Sequence, residues 1–415
     1  MKLIHTSDWH LGNSIHDIDR SPESQAFLDS LRAQIVESGA EALLISGDVF
    51  DTVNPPSWAQ HQYYRFLASL QGTPCRNVIV TGGNHDSAAR LDAPKDVLDA
   101  LNVKVVGGLP KNAGDLGSIV FELRGASGSV VGICAAVPYV RESELRNMFG
   151  DDSVEGLRKL YAKVYELADA LRAGRDIPLI AMGHLYAAGI ERVKNADDGV
   201  REIIGNLGQV PADVFPQGFA YVALGHIHRA CRVGGRECVR YSGSPFVLGF
   251  DEAGLGHSTL LVSLENAMVS VEELPVPQTI AFVRIAGDFE RLKEGLAALK
   301  AELSRKPGTP LVYVDLLLNA GARHNLRVEL ENVVKDAPFV VLRYRVDSVV
   351  FPCRSLTSQD VSNVKDIDEH SVFRLLIKHT AFADGAADAE VDAMYKEFLP
   401  LYEEILNQLN GGEEG

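Results

Sequence analysis

Aspartate and histidine recur in short motifs that each follow a run of apolar residues. The first is Asp8-Trp9-His10, in which a carboxylate and an imidazole stand two residues apart. On extended backbone such a pair projects to one side, so that both side chains can hold one metal ion at the end of a strand. A single Asp-x-His is common, and its weight comes from four further motifs in the same setting: Gly47-Asp48, Gly83-Asn84-His85-Asp86, Gly183-His184 and Gly225-His226-Ile227-His228.

The side chains in these motifs are oxygen and imidazole donors, without a thiolate. The candidate metal ligands are Asp8, His10, Asp48, Asn84, His184, His226 and His228. This set is too large for one tetrahedral ion and suits two ions that share a ligand and keep open positions for water. Asp48 is the natural bridge, because a carboxylate offers one oxygen to each ion. Two ions roughly 3.5–4 Å apart activate a water and hold both oxygens of a displacement at phosphorus.

His85 calls for a different interpretation from the ligands. It follows Asn84 directly, so its side chain is expected to point away from the metals and towards a substrate. There an imidazole can stabilise charge or donate a proton to a leaving oxygen. Asp86 is expected to orient the ring, which makes His85 and Asp86 the catalytic candidates. The alternative is that His85 is a structural histidine beside the metal site.

The elements that position these motifs alternate between buried strands and helices. Apolar runs predict strands at 3–7, 42–46, 78–81 and 103–106, and periodic patterns predict helices at 23–37 and 57–70. This order suits βαβ units, which place Asp8, Asp48 and Asn84 at the carboxyl edge of one parallel sheet. Further strands are predicted at 177–182 and 221–224, a hairpin at 118–137, and antiparallel strands at 232–233, 238–241 and 258–264. The predicted fold is α/β, a two-sheet sandwich flanked by helices.

Changes in the pattern predict four segments. Residues 1–274 form the catalytic domain, 275–346 a small βαβαβ capping domain, 347–370 a linker, and 371–410 a helical segment. An apolar stripe in that last segment favours docking onto a partner's helices over packing on its own domain. The stripe consists of Val391, Tyr395, Phe398, Tyr402, Ile405 and Leu409.

Composition excludes several classes of protein. No apolar run is long enough to span a membrane, and no Gly-Lys dipeptide is present for a Walker A loop. Five scattered cysteines and the lack of a signal peptide predict a reducing, cytoplasmic location. The net charge of −16 has the wrong sign for simple binding to a polyanion, so metals or a partner would have to supply positive charge.

In order, the five motifs resemble those of the calcineurin-like metallophosphoesterases. The opening residues 2–12, with 48–52 and 241–245, narrow the resemblance to nuclease subunits of bacterial DNA-repair complexes. The resemblance implies Mn²⁺-dependent cleavage of DNA, as a double-strand exonuclease and a single-strand or hairpin endonuclease, within a heterotetramer with a coiled-coil ATPase. It also implies His85 as the catalytic histidine. One ion would be held by Asp8, His10, Asp48 and His228, and the other by Asp48, Asn84, His184 and His226.

The sequence departs from the family pattern in two places. Residues 13–20 are shorter and more acidic than usual, and Asp51 stands where eukaryotic relatives carry histidine. Asp51 is therefore expected on the substrate side, without an assigned role. Two alternatives to a DNA nuclease stay open: a stand-alone dinuclear-metal phosphatase or cyclic-nucleotide phosphodiesterase, and a non-catalytic scaffold.

Overall fold

The computed structural model describes residues 1–15, 18–151, 154–187, 210–265, 268–305, 310–318, 330, 333–346, 395–396 and 398–399. Met1–Ile285, Leu296–Leu316 and Val334–Arg343 belong to one compact unit, and the site discussed below lies within it. Ala286–Gly295 belongs to a second unit. The predicted linker lies outside the described residues, as does most of the predicted helical segment, so the proposed domain boundaries stay predictions.

Strands and helices alternate along most of the described chain. The strands are β1 (Lys2–Thr6), β2 (Ala42–Ser46), β3 (Asn77–Thr81), β4 (Val103–Val106), β5 (Val120–Arg124), β6 (Val130–Ala136), β7 (Leu179–His184), β8 (Tyr221–Gly225), β9 (Cys231–Val233), β10 (Arg236–Tyr241), β11 (Ser258–Glu265), β12 (Met268–Pro275), β13 (Ile280–Gly287), β14 (Leu311–Leu318) and β15 (Phe339–Val346). The helices are α1 (Ser21–Ser38), α2 (Ser57–Ser69), α3 (Ala88–Asp92), α4 (Lys95–Asp99), α5 (Glu142–Phe149), α6 (Val154–Arg172) and α7 (Phe289–Leu303).

The first sheet has six strands in the order β12-β11-β1-β2-β3-β4. Strands β1 to β4 pair in parallel in chain order, and β11 pairs antiparallel with β1 and with β12. The parallel set follows from the intervening helices, since a parallel neighbour requires a crossover connection. The prediction that β1, β2 and β3 end at the same edge is confirmed.

The second sheet has the order β5-β6-β7-β8-β10-β9. β5 and β6 form the predicted antiparallel hairpin, and β6, β7 and β8 are parallel. β10 was expected to be antiparallel, and it is so towards β9, but it pairs in parallel with β8. The difference arises because the β9–β10 hairpin folds back and inserts its second strand next to β8.

Two apolar cores lie on the two faces of the first sheet. Leu3 and Leu44 face a core that also includes Ile133 and Tyr221 of the second sheet, whereas Ile4 faces a separate core. That separate core contains residues of α1 and α2. Alternation along a strand sends successive side chains to opposite faces, which explains why the β2 residues are all buried. The predicted sandwich with outer helices is confirmed.

A third sheet, β13-β14-β15, follows the two larger ones. Its three strands and α7 appear in the order expected for the βαβαβ pattern of residues 275–346, while the second helix of that pattern would lie between β14 and β15, mostly outside the described residues. The chain before this sheet also contains β12 and α5, which the sequence analysis did not predict. Cys75, Cys134 and Cys238 are free thiols. Among the helices that the structure describes, none has the length and apolar character to cross a membrane.

The two large sheets approach each other closely at Gly225, the last residue of β8. A β-carbon there would collide with the carbonyl oxygen of Ser46 at the end of β2 and would lie 2.8 Å from Nδ1 of His184. The position therefore accepts only glycine.

We predict that Gly225→Ala lowers the free energy of unfolding of the metal-free protein by about 2 kcal/mol or more, because the backbone of β2 cannot move aside. Denaturant unfolding monitored by circular dichroism measures this loss. Gly256→Ala is the matched control, since a β-carbon added at that position would meet no atom within 4 Å. Equal stability of the two variants would contradict the close approach.

Candidate metal centre

The seven predicted ligands lie at the carboxyl ends of strands from both large sheets. Asp8 and His10 follow β1, Asp48 follows β2, and Asn84 follows β3 in the first sheet. The second sheet contributes His184 at the end of β7 and His226 and His228 after β8. The structure thus brings together side chains that are as much as 220 positions apart in the sequence (228 − 8).

Short contacts connect these side chains to one another. Oδ1 of Asn84 lies 2.9 Å from Nε2 of His184 and 3.0 Å from Nδ1 of His226. Oδ2 of Asp48 lies 3.3 Å from Nε2 of His184 and 3.6 Å from Nε2 of His10. One oxygen of Asp48 therefore lies between the rings of His10 and His184, and the bridging role of this carboxylate stays a prediction.

The backbone of the ligand loops differs from the expectation. Asp8 and His10 were expected on extended backbone, but they have φ values of 53° and 44°, and Asp48 shares this conformation with a φ of 49°. Such left-handed backbone is uncommon outside glycine and is held here by hydrogen bonds between two loops. The N–H groups of Asp8 and His10 donate to the carbonyl oxygens of Gly47 and Asp48, each over 3.0 Å.

Three histidines share one hydrogen-bonding arrangement. Nδ1 of His184 donates to the carbonyl oxygen of Ser46 over 2.9 Å. Nδ1 of His10 donates to Oδ1 of Asp51 over 3.1 Å, and Nδ1 of His228 donates to Oε1 of Glu252 over 2.6 Å. In each neutral ring the proton is then on Nδ1, which leaves the lone pair on Nε2. Metal-binding histidines are oriented in this way by an oxygen behind the ring.

In this arrangement hydrogen-bond acceptors face one another, and a bound cation would relieve the repulsion between them. The lone pair on Nε2 of neutral His184 faces the oxygens of Asn84 and Asp48, which are acceptors as well. Nε2 of His10 is buried and has no hydrogen-bond partner. Two groups, Asp8 with His10 and His228, and Asp8 with Asp48 and His184, each offer ligand atoms within 4.8 Å of one another. The residues present therefore fit divalent metal ions.

The charges of the site shift the pKa values of its members in the metal-free state. Burial opposes ionisation of Asp48, but the adjacent His184, His10 and His85 lower the pKa of its carboxyl group below the usual range. Burial also disfavours the charged form of His184, yet Asp48 and Asp8 raise the pKa of that ring to about 9. Burial and the charge of His184 lower the pKa of His226 to about 3. A proton on His184 thus occupies the place that a metal ion would take.

His85 is exposed and lies beside the cluster. Its backbone N–H donates to Oδ1 of Asp48 over 2.8 Å, and Nδ1 of its ring donates to the carbonyl oxygen of Asp51 over 2.8 Å. Its ring centroid lies 4.7 Å from that of His10. Asp51 thus contacts the His10 ring through its carboxylate and the His85 ring through its backbone carbonyl. The sequence assigned no role to Asp51, and these contacts give it the role of positioning both rings. His10, Asp51 and His85 also form a third group of converging ligand atoms.

Asp86 has partners other than the His85 ring that it was expected to orient. Its carboxylate accepts hydrogen bonds from the backbone N–H groups of Gly83, Val49 and Phe50, over 2.9 to 3.0 Å. Burial and the charge of Asp48 raise the pKa of Asp86 to about 6, against these hydrogen bonds. The side chain ties the loop after β3 to the loop after β2. This geometry makes Asp86 a positioning residue for the backbone and not a partner of the His85 ring.

Two supporting groups were missed by the sequence analysis. Glu252 orients His228, and its second oxygen accepts from the N–H of Leu248 over 2.7 Å. Ser7 donates to Oδ2 of Asp8 over 2.5 Å and contacts Ser242 at 2.8 Å. Glu252 was missed because no sequence motif relates it to His228. Ser242 was missed because its stretch, residues 241–245, was used only as support for the family resemblance.

Comparison with known proteins identifies the class. The model of the calcineurin-like phosphoesterase family matches residues 1–230, more than half of the chain, and the chain belongs to that family. The fold and the ligand set therefore define a metal-dependent phosphodiesterase.

Curated relatives extend the similarity beyond the family domain. The chain is 35% identical to the SbcD subunit of nuclease SbcCD from Escherichia coli (strain K12) over 90% of its own length and 92% of the relative. It is 38% identical to the protein of that name from Rhodobacter capsulatus, over 76% of this chain and 80% of the relative. The Bacillus subtilis (strain 168) protein is 33% identical over 63% and 66%. These matches confirm the narrower resemblance.

A solved family 1 β-glucosidase from Thermotoga maritima also aligns over 83% of both chains. Its TM-score is 0.17 and its sequence identity 14%, too low to indicate a shared fold.

The pair formed by His228 and Glu252 makes stability depend on pH. Burial alone lowers the pKa of His228, but the hydrogen bond to Glu252 and nearby carboxylates raise it to about 9, above the ordinary value of 6.5. A pKa raised in the folded state stabilises the fold fully below pH 6.5, and this stabilisation is lost as the pH rises towards about 9.

We predict that Glu252→Gln reduces the fall in unfolding free energy of the metal-free protein between about pH 6.5 and 9, because His228 loses its charged partner. Denaturant unfolding at several pH values in this window measures the difference from the unaltered protein. Glu37→Gln, at an exposed position on α1, is the control. An unchanged pH slope in Glu252→Gln would show that this pair does not set the pKa.

Proposed function

We propose that the protein is the nuclease subunit of a DNA end-processing complex and hydrolyses DNA phosphodiesters with two divalent ions, Mn²⁺ in the cell. Its action would include double-strand exonuclease and single-strand or hairpin endonuclease cleavage, in DNA repair, recombination and replication. We infer a cytoplasmic location and a homodimer within a heterotetramer with an SbcC-type coiled-coil ATPase.

The extent of the similarity to the relatives favours a nuclease subunit over a stand-alone enzyme. The metallophosphoesterase domain alone is compatible with a phosphatase, a cyclic-nucleotide phosphodiesterase or a nuclease. The alignment with the Escherichia coli nuclease subunit, however, covers 90% of this chain and so includes regions beyond the family domain. A stand-alone phosphatase needs no such additional regions. The small-molecule enzyme is the second candidate, supported by the site alone.

The ligand set divides into two metal positions in this proposal. Asp8, His10 and His228 would hold one ion with Asp48, and Asn84, His184 and His226 would hold the other with Asp48. Bound ions would supply Lewis-acid stabilisation of the phosphoryl oxygens and lower the pKa of a water. Asn84 contributes a neutral oxygen, which keeps the loaded site positively charged towards the substrate.

The remaining residues act on the leaving group and on orientation. Nδ1 of His85 donates to the Asp51 carbonyl, so the ring acts as an acid in its imidazolium form, whose second proton is on Nε2 and can pass to the leaving oxygen. The exposure of the ring lets a large phosphodiester reach it. Asp86 fixes the turn at Gly83 through a hydrogen bond and thereby positions the backbone of His85. In this proposal His85 is the catalytic residue and Asp86 a positioning residue.

The net charge of −16 requires positive charge from elsewhere for DNA binding. In this proposal the bound ions supply it at the scissile phosphate, and the ATPase partner supplies most of it along the duplex.

We predict that His85→Ala retains two bound Mn²⁺ ions but loses DNA cleavage by about 10²-fold or more, because general acid catalysis is removed. His10→Ala should instead weaken the binding of one Mn²⁺ ion more than the binding of the other. Binding is measured by calorimetry, and cleavage by nucleotide release from linear duplex DNA in the presence of the ATPase partner. His61→Ala, at an exposed position on α2, is the control. Undiminished cleavage by His85→Ala would refute its catalytic role.

We predict that deletion of residues 371–415 abolishes binding to the ATPase partner and leaves Mn²⁺ binding intact, since the predicted docking stripe is removed. Size-exclusion chromatography of the mixed subunits and metal titration of the shortened chain measure the two properties. Unchanged partner binding would favour packing of the segment on its own domain. Hydrolysis of small phosphodiesters with no cleavage of DNA would favour the second candidate.

A further inference from the structure

Arg20 is a fully buried arginine at the start of α1, and its side chain is 1% exposed. Nε and Nη2 donate to Oε2 of Glu23, over 2.8 and 2.5 Å. Nη1 donates to Oδ1 of Asn13 over 2.7 Å, and Nη2 donates to the carbonyl oxygen of Val247 over 2.5 Å. A buried guanidinium is costly unless its donors are used, and here they reach three separate segments.

The first of these segments leads to His10. Nδ2 of Asn13 donates to Oδ1 of Asp51 over 3.2 Å, and the same oxygen accepts from Nδ1 of His10 over 3.1 Å. Asn13 therefore holds the carboxylate that orients the metal-binding ring. Because Asn13 is fixed in turn by Arg20, the direction of the His10 ring depends on the guanidinium.

The second segment leads to His228. Val247, whose carbonyl accepts from Arg20, directly precedes Leu248. The N–H of Leu248 donates to one oxygen of Glu252 over 2.7 Å, and the other oxygen accepts from Nδ1 of His228 over 2.6 Å. The ring centroids of His10 and His228 lie 5.1 Å apart. Two chains of hydrogen bonds therefore lead from Arg20, a first arm to His10 and a second arm to His228. Both arms end at histidines of the same ligand group, whose third member is Asp8.

Aromatic rings cover the guanidinium. The central carbon of Arg20 lies 5.2 Å from the centroid of Phe246 and 5.6 Å from that of Phe282 on β13. Contacts of this kind attract the cation and exclude water from it. They fix the plane of the guanidinium, and with it the directions of the donors that serve the two arms.

We propose that Arg20 is a positioning residue for the metal position of Asp8, His10 and His228. It sets the two carboxylates, Asp51 and Glu252, that orient the two histidines. Only arginine can do this, since a lysine has a single ammonium group and no planar fork to reach both arms. The inference rests on the two-ion centre of the proposed function.

The test is a titration of the metal-free full-length protein with Mn²⁺, followed by calorimetry and by electron paramagnetic resonance, which distinguishes a coupled pair of ions from an isolated one. In Arg20→Lys we expect the affinity of one position to fall about 10-fold or more and that of the other to change by less than about 2-fold. The coupled signal should give way to that of an isolated ion. Arg32→Lys is the control, because Arg32 lies on the same helix, is exposed and donates to the Ser69 carbonyl.

Asn13→Ala interrupts the first arm without altering the buried charge, so it decides the question if Arg20→Lys does not fold. Selective weakening of one ion in this variant supports the inference. Two ions bound as in the unaltered protein, or an equal loss of both ions together with a lower melting temperature, overturns it and leaves Arg20 a purely structural role. If the unaltered protein binds a single ion, the two-ion centre of the proposed function fails instead.

Discussion

The structure depends on the burial of two carboxylates, Asp8 and Asp48, among the histidines of the site. Asp8 is 0% and Asp48 1% exposed, and an unpaired buried carboxylate costs several kcal/mol or more. The backbone relieves part of this cost, because the N–H of His226 donates to Asp8 and that of His85 donates to Asp48. The remainder requires positive charge, from protons in the metal-free protein and from metal ions in the active one. The site thus selects cations because its own acceptors outnumber its donors.

In the sandwich, the carboxyl ends of the parallel strands of both large sheets meet at one place, and this brings the carboxylates and the histidines together. The first sheet alone would present four of the seven candidate ligands and the second sheet three, and Gly225 lets the two edges approach closely. The supports behind the ligands come from loops and a helix start: Asp51 follows β2, Glu252 lies between β10 and β11, and Arg20 precedes α1. The sheets therefore determine where the ligands are, and the loops determine which way the rings point.

Most strands were predictable because their residues are buried on both faces, as β2 shows, and form uninterrupted apolar runs. β12 was missed because it is an edge strand with alternating exposed residues and three glutamate or proline positions near its end. The candidate ligands could be singled out because each lies at the end of a strand or within four residues after it. Glu252 and Arg20 could not be found, since His228, which Glu252 orients, lies 24 positions away and Val247, which Arg20 contacts, lies 227 positions away in the sequence. Asp86 was misjudged because adjacency to His85 suggested a contact, whereas its carboxylate turns back to three backbone N–H groups.

The left-handed backbone at Asp8 and Asp48 has a consequence for the choice of inactive variants. Asparagine and aspartate are the non-glycine residues that tolerate this conformation best, because their short polar side chains bond locally. Replacement of either residue by alanine would remove a ligand and also add backbone strain of about 1 kcal/mol. Asparagine keeps the shape and the backbone preference while removing the charge. The loop geometry thus makes Asp→Asn the substitution that separates loss of metal binding from loss of folding.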